Sequence, residues 1–263
     1  MKFGKDNMKT ASKLVLFAGL VGLAATASAQ VYTFNVDPNG TPPQSIPDGD
    51  ANGAVYTGLV PINTPVSTNS FKVDLNIQGD PIGGNGDLYA ILVSPDKTHS
   101  AVLLNRPGMP LNGGVGYQDN GMNVVIYDGQ NDPNHKGADG TVYPFTDIHN
   151  YQDDPVYGGA NVGNNGVSGI FKSDARGISP LSLPSVFSSS TRDSGYTLQV
   201  FQGINPLGTW DLLIADVSSG GSSKLVSWGL DFTPIPEPQE YAMAIGIGLM
   251  AFALYRRRML KTA

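Results

Sequence analysis

The chain has 263 residues with 16 Lys and Arg against 22 Asp and Glu, a formal net charge of -6. That balance argues against a nucleic-acid partner, whose binders present basic patches. With no cysteine there is no disulfide framework, so stability has to come from a core, which a domain of roughly 200 residues is long enough to build.

The first thirty residues have the three parts of a secretory signal. Lys2, Lys5, Lys9 and Lys13 form a cationic start, residues 14–25 (LVLFAGLVGLAA) a short apolar run, and Ala27-Ser28-Ala29 a small-residue cleavage site. The apolar run is well short of the roughly 20 residues that span a bilayer. Signal peptidase is therefore expected to cut between Ala29 and Gln30, making 1–29 a signal peptide.

Residues 30–233 read as one domain. Every acidic residue between 31 and 233 is Asp, both glutamates, Glu237 and Glu240, falling in the tail. Glu favours helices, whereas Asp, Asn and Gly favour turns and caps, so strands joined by loops are expected. Residues 71–77 (FKVDLNI) alternate apolar with polar, the pattern of a strand with one buried face. Residues 88–93, 101–104, 124–127 and 196–201 give further short strands. Residues 209–214 (TWDLLI) begin with alternation and turn wholly apolar, and 226–232 (VSWGLDF) alternate throughout, which places Trp210 and Trp228 inside. Turn signals such as Ser94-Pro95-Asp96 and Asn205-Pro206-Leu207-Gly208 separate them, so the expected fold is all-β, an antiparallel β-sandwich. The stretch 105–195 reads as long loops around a few strands.

The order of several blocks is similar to a known family. "SIPDGDANG" (45–53), "NGDLYAILVSPDKT" (85–98), "AVLLNRPG" (101–108), "NVVIYD" (123–128), "FQGINPLGTWDLLIADVSSG" (201–220) and "KLVSWGLDF" (224–232) resemble the P domain, or Homo B domain, of proprotein convertases and secreted subtilisin-like proteases. The resemblance implies a jelly-roll-like sandwich related to galactose-binding domains. It also implies a non-catalytic role, since the P domain packs on the protease domain and stabilises it. Only a short stretch separates Gln30 from the first block, so the module is expected without a protease domain before it.

The residues agree that catalysis is not expected. His99, His135 and His149 lie in turn-rich stretches where a histidine is usually solvated, and no Gly-x-Ser-x-Gly elbow or nucleophile beside a base is present. Asp153 and Asp154 are neighbours that an extended chain points to opposite sides. Calcium is the sharper expectation. Asp48-Gly49-Asp50-Ala51-Asn52-Gly53 repeats the first half of a D-x-D-x-[DN]-G loop, in which alternate oxygens converge on a hard cation. Leu59 stands where an EF-hand has its bidentate Glu, so the site would have to be completed from elsewhere, with Asp87 the first donor to expect. The alternative is that these residues shape turns and stay hydrated.

The last segment, 234–263, has three parts. Pro234, Pro236 and Pro238 hold the chain extended. Residues 241–255 are apolar and about 22 Å long as a helix, marginal for a bilayer core of about 30 Å. Arg256, Arg257 and Arg258 would hold that end in the cytoplasm by the positive-inside rule. This short transmembrane helix preceded by Pro236-Glu237-Pro238 is similar to the PEP-CTERM sorting signal. The resemblance implies recognition by exosortase at a Gram-negative type of inner membrane, then release or attachment at the cell surface or extracellular matrix. A plain anchor is the other reading of the tail.

The expected function is therefore a non-enzymatic, exported surface or matrix protein with a structural or binding role. Its ligand would be exopolysaccharide or another surface protein, met through the loops of 105–195. The loop tyrosines Tyr117, Tyr143, Tyr151 and Tyr157 could stack on sugar rings. The alternative is an accessory domain that stabilises or docks to a secreted subtilisin-like protease in trans.

Overall fold

The computed structural model describes residues 30–35, 43–63, 65–79, 84–158 and 166–232, with 249, 250 and 252 beyond them. The chain divides into two compact units, Ala29–Ile235 and a second formed by Met1–Ser28 with Pro236–Ala263. The expectations for the signal segment, for Ala29, for Pro236-Glu237-Pro238 and for Arg256, Arg257 and Arg258 fall outside the described residues. Gln30 begins the first strand. No helix among the described residues is long and apolar enough to cross a membrane.

The unit Ala29–Ile235 is all-β, with two sheets. One holds β1 (Gln30–Asn35), β2 (Gln44–Ser45), β4 (Lys72–Gly79), β7 (Met122–Ile126), β8 (Val167–Phe171) and β10 (Ser223–Phe232), in the order β1-β10-β4-β7-β8, with β2 also on β10. The other holds β3 (Ala54–Val60), β5 (Leu88–Val93), β6 (Ser100–Asn105) and β9 (Gly208–Asp216), in the order β3-β9-β5-β6. The helices described are short, α1 (Leu111–Gly114), α2 (Pro184–Ser189) and four 3₁₀ segments.

Alternation places one face of each sheet in a shared core. Val73, Leu75 and Ile77 of β4 are buried while Lys72, Asp74 and Asn76 are not, and Trp210, Leu212 and Ile214 of β9 do the same from the other sheet. All six belong to one hydrophobic cluster. On β10 a bulge between Leu225 and Ser227 shifts the register, so Leu225 and Trp228, three apart, both turn inward. The two tryptophans organise the aromatic packing: Phe34 lies 4.6 Å from Trp228, and Phe71 and Phe201 lie 5.7 and 5.1 Å from Trp210, centroid to centroid. Trp210 Nε1 donates to the Pro206 carbonyl at 3.0 Å, so the Asn205-Pro206 turn supplies the partner that its buried N–H needs.

Two expectations are corrected. The sheets are not wholly antiparallel, because β7 and β8 pair in parallel, Met122 opposite Val167. A parallel pair needs a crossover of a dozen residues or more, and residues 127–166 give it length to spare. Residues 196–201 are not a strand but the ends of two 3₁₀ turns, Ser194–Tyr196 and Leu198–Phe201. The Asp193 carboxylate accepts from the Gly195 amide and the Thr197 hydroxyl from the Gln199 amide. These local side-chain bonds outcompete the extended ladder, and Leu198 and Phe201, three apart, reach the core together.

Candidate functional site

The acidic turn predicted from the sequence lies at one end of the four-stranded sheet. Asp48, Asp50 and Asn52 are exposed there. The Asp50 carboxylate accepts from the Asn52 backbone amide and from its Nδ2, both at 2.9 Å, so one oxygen is already spent within the turn. Two contacts pin the turn to β9: the Asp50 amide donates to the Asp216 carbonyl at 3.1 Å, and Gly53 closes on the backbone of Ile214. Gly53 has φ 58°, and a Cβ there would stand 2.2 Å from the Ile214 carbonyl oxygen, so only glycine fits.

Asp87 ends the 3₁₀ segment that leads into β5, and the Val217 amide donates to its carbonyl at 2.9 Å. Leu88 pairs with Asp216 across the sheet. The structure therefore brings Asp87 and the 48–53 turn to opposite sides of one residue that sequence reasoning missed, Asp216, the last of the central strand β9. Asp216 is 2% exposed, and its Oδ1 has no hydrogen-bond partner. Burial raises its pKa to about 7, helped by the charges of Asp87 and Asp48; the Ser218 amide and Ser223 hydroxyl work in the opposite direction. Burial likewise raises Asp87, against its bonds to Ser218 and Arg106. Arg106 Nη2 lies 3.3 Å from Asp87 Oδ1 and 3.2 Å from the Ser218 hydroxyl, with Nε on the Gly86 carbonyl at 3.1 Å. Among the described residues, no three His, Asp or Glu side chains already converge as a metal-ligand set.

The histidines are not all solvated as expected. His135 is 1% and His149 3% exposed. His149 Nδ1 faces Asp174 Oδ2 at 2.8 Å and the Asn105 carbonyl at 3.1 Å, and Nε2 faces the Met109 carbonyl at 2.7 Å. All three partners are acceptors, so both ring nitrogens donate and the ring is an imidazolium. Burial opposes that charge, but the Asp174 bond and charge outweigh it and raise the pKa. His135 is held between the Tyr143 carbonyl and Asp154 Oδ1, at 2.9 and 3.1 Å. Asp154 also accepts from the Val156 and Tyr157 amides. Burial pushes Asp154 up, yet the Tyr157 and Val156 amides bring it below the usual carboxylate range.

Both ring nitrogens of His135 and of His149 are thus taken up by fixed protein partners. These clusters tie distant loops together, as Asp128 does by accepting from Ser173, Arg192 and the Leu198 amide. Asp153 is exposed and Asp154 buried, on opposite sides as expected. Of the loop tyrosines, Tyr117 and Tyr151 are buried against each other with centroids 4.6 Å apart, so neither is available to stack on a sugar.

No protein-family model and no curated protein matches the chain. Among solved structures it aligns with a serine protease of Aeromonas sobria, at 15% identity and a TM-score of 0.39, over 79% of this chain and 27% of that one. It also aligns with the complex of that protease and its chaperone, at 15% identity and a TM-score of 0.38, over 80% and 27%. The chain thus spans about a quarter of the length of either chain it matches.

Proposed function

We propose that this chain is an exported, non-catalytic surface or extracellular-matrix protein: a P-domain-like sandwich of jelly-roll type acting as a structural or binding module, delivered by an exosortase that reads its tail. The observation that carries the reading is the order of the sequence after β10. Strand β10 closes at Phe232, Pro236-Glu237-Pro238 follows, and then come the apolar run 241–255 and Arg256, Arg257 and Arg258. A run of that length is short for a permanent span, which favours a temporary anchor. The non-catalytic part is supported by His135 and His149, whose ring nitrogens are committed to buried structural acceptors.

A second reading, docking to a secreted subtilisin-like protease in trans, is favoured by an apolar surface. Leu111 of α1, and Leu181, Leu183 and Val186 at and before α2, are exposed, and Gly114 packs against Pro184 to bring the two helices together. Immobilised exopolysaccharide and a purified subtilisin-like protease from the same host, each titrated with the Ala29–Ile235 unit, separate the two. Saturable retention on polysaccharide supports the first reading. A complex with the protease that Leu183→Asp abolishes supports the second and overturns the first.

A further inference from the structure

The geometry points to a calcium site at the end of β9, in which Asp216 is the buried anchor, Asp87 flanks it from the start of β5, and Asp48 closes it from the exposed turn. The first support is topological. The turn and β5 approach Asp216 from opposite sides, one through the Asp50 amide on its carbonyl and the other through the Leu88 pairing and the Val217 bond to Asp87. Three carboxylates that are 129 and 168 positions apart in sequence, between Asp87 and Asp216 and between Asp48 and Asp216, are thereby gathered at one sheet end.

The second support is independent of the first. Asp216 Oδ1 is a buried carboxylate oxygen with no hydrogen-bond donor. Native structures rarely leave such an atom unpaired, and an unseen ion is one of the few explanations. Arg106 reaches Asp87 and the Ser218 hydroxyl, and its side-chain bonds there go to those groups and the Gly86 carbonyl. Against three carboxylates, one guanidinium leaves a net negative charge to be neutralised.

The donor chemistry selects the ion. Every side-chain donor at this end is oxygen: the three carboxylates and the hydroxyls of Ser218 and Ser223. Neither histidine nor cysteine is among them, which disfavours zinc and copper. An assembly built partly from an exposed turn is irregular and adjustable. It suits the larger, geometrically tolerant calcium better than magnesium, which demands near-ideal octahedral geometry. The side chains do not yet converge, so binding has to draw Asp48 inward, which places the affinity in the class of extracellular modules, about 0.1 to 1 mM. Asp50 and Asn52, expected from the loop pattern, are left out of the site, because the Asp50 Oδ1 already accepts from the Asn52 backbone amide and Nδ2 within the exposed turn. The proposal does not depend on the sorting reading.

The test uses the Ala29–Ile235 unit, freed of metal with EDTA, dialysed, and titrated with calcium chloride alone at pH 7.5 while thermal unfolding is followed. The expected result is a saturable rise in Tm, half-complete near 1 mM and several degrees at saturation. Magnesium at equal concentration should produce less than half the rise. Asp216→Asn and, separately, Asp48→Asn on the exposed turn should each remove the calcium response, while Asp139→Asn in a remote turn should keep it. No saturable rise up to 10 mM, an equal rise with magnesium, or retention of the response in either site variant overturns the assignment.

Discussion

Replacing Asp174 by Asn removes the charge at the centre of a buried polar cluster. The carboxylate is fully buried and accepts from His149 Nδ1 at 2.8 Å, the Asn105 amide at 3.2 Å, and Arg176 through its amide and Nη1 at 3.3 and 3.2 Å. Asparagine keeps the shape but leaves Arg176, itself 7% exposed, with its 3.6 Å contact to Asp147 as the remaining ion pair among the described residues beside the Asp174 carbonyl at 3.4 Å, and leaves the His149 imidazolium without a counter-charge. Breaking a buried pair in this way costs about 3–5 kcal/mol. That is about a fifth or more of the 5–15 kcal/mol typical of a whole domain. The size depends on pH. His149 has a folded pKa raised above 6.5. Its contribution is therefore fully present below the unfolded value and lost as pH rises through the folded one. The groups facing it are Asp174, Arg176, and the carbonyls of Asn105 and Met109. The variant should accordingly lose more at pH 5.5 than at pH 8.5. Guanidinium unfolding followed by fluorescence of Trp210 and Trp228 measures both. A loss below about 1 kcal/mol at pH 5.5, or an equal loss at the two pH values, refutes the assignment of a charged His149.

In EDTA at pH 8, Asp216→Asn should melt higher than the parent chain. The amide removes a buried charge that faces Asp87 and Asp48, and each unit by which a carboxyl pKa is raised corresponds to about 1.4 kcal/mol; a lower Tm would mean that the carboxylate is stabilised where it stands. Gly53→Ala should cost about 2 kcal/mol or more, because φ 58° is strained for alanine and the obstructing atom is backbone. Gly140→Ala, at φ 78° with nothing within 4 Å of a Cβ, should cost only the strain, about 1 kcal/mol. Chemical denaturation of the two variants in parallel decides it: equal losses would show that contact with β9 does not matter.

Much of the fold was legible because most strands bury one face. β4, β5, β9 and β10 each announce themselves by alternation or by a wholly apolar stretch, and both tryptophans fall inside as expected. β3 did not, because Ala54–Val60 is apolar on both sides: Tyr56 and Val60 are buried, while Val55 and Leu59 are 56% and 66% exposed. The parallel β7–β8 pair was beyond reach, since strand direction depends on where a long crossover returns.

Polar burial was harder to read than apolar burial. His149 finds Asp174 25 residues away and His135 finds Asp154 19 residues away, and no local pattern marks a histidine that a distant carboxylate will hold. The 48–53 turn and Asp87 could be picked out from residue type and spacing. Asp216 could not be linked to them, although one signal was present. It ends the stretch LLIAD, an acid closing an apolar central strand with no basic neighbour in sequence, and a carboxyl so placed needs a partner from elsewhere in the fold or a raised pKa.

The claim that the tail is a sorting signal is tested most directly by the intact mass and cell fraction of the protein in its host, with exosortase present and deleted. The account predicts a chain that begins at Gln30 and ends near Pro238, leaving the inner membrane only when exosortase is present. A chain that keeps residues 241–263 in both strains contradicts it, and makes the tail an ordinary membrane anchor.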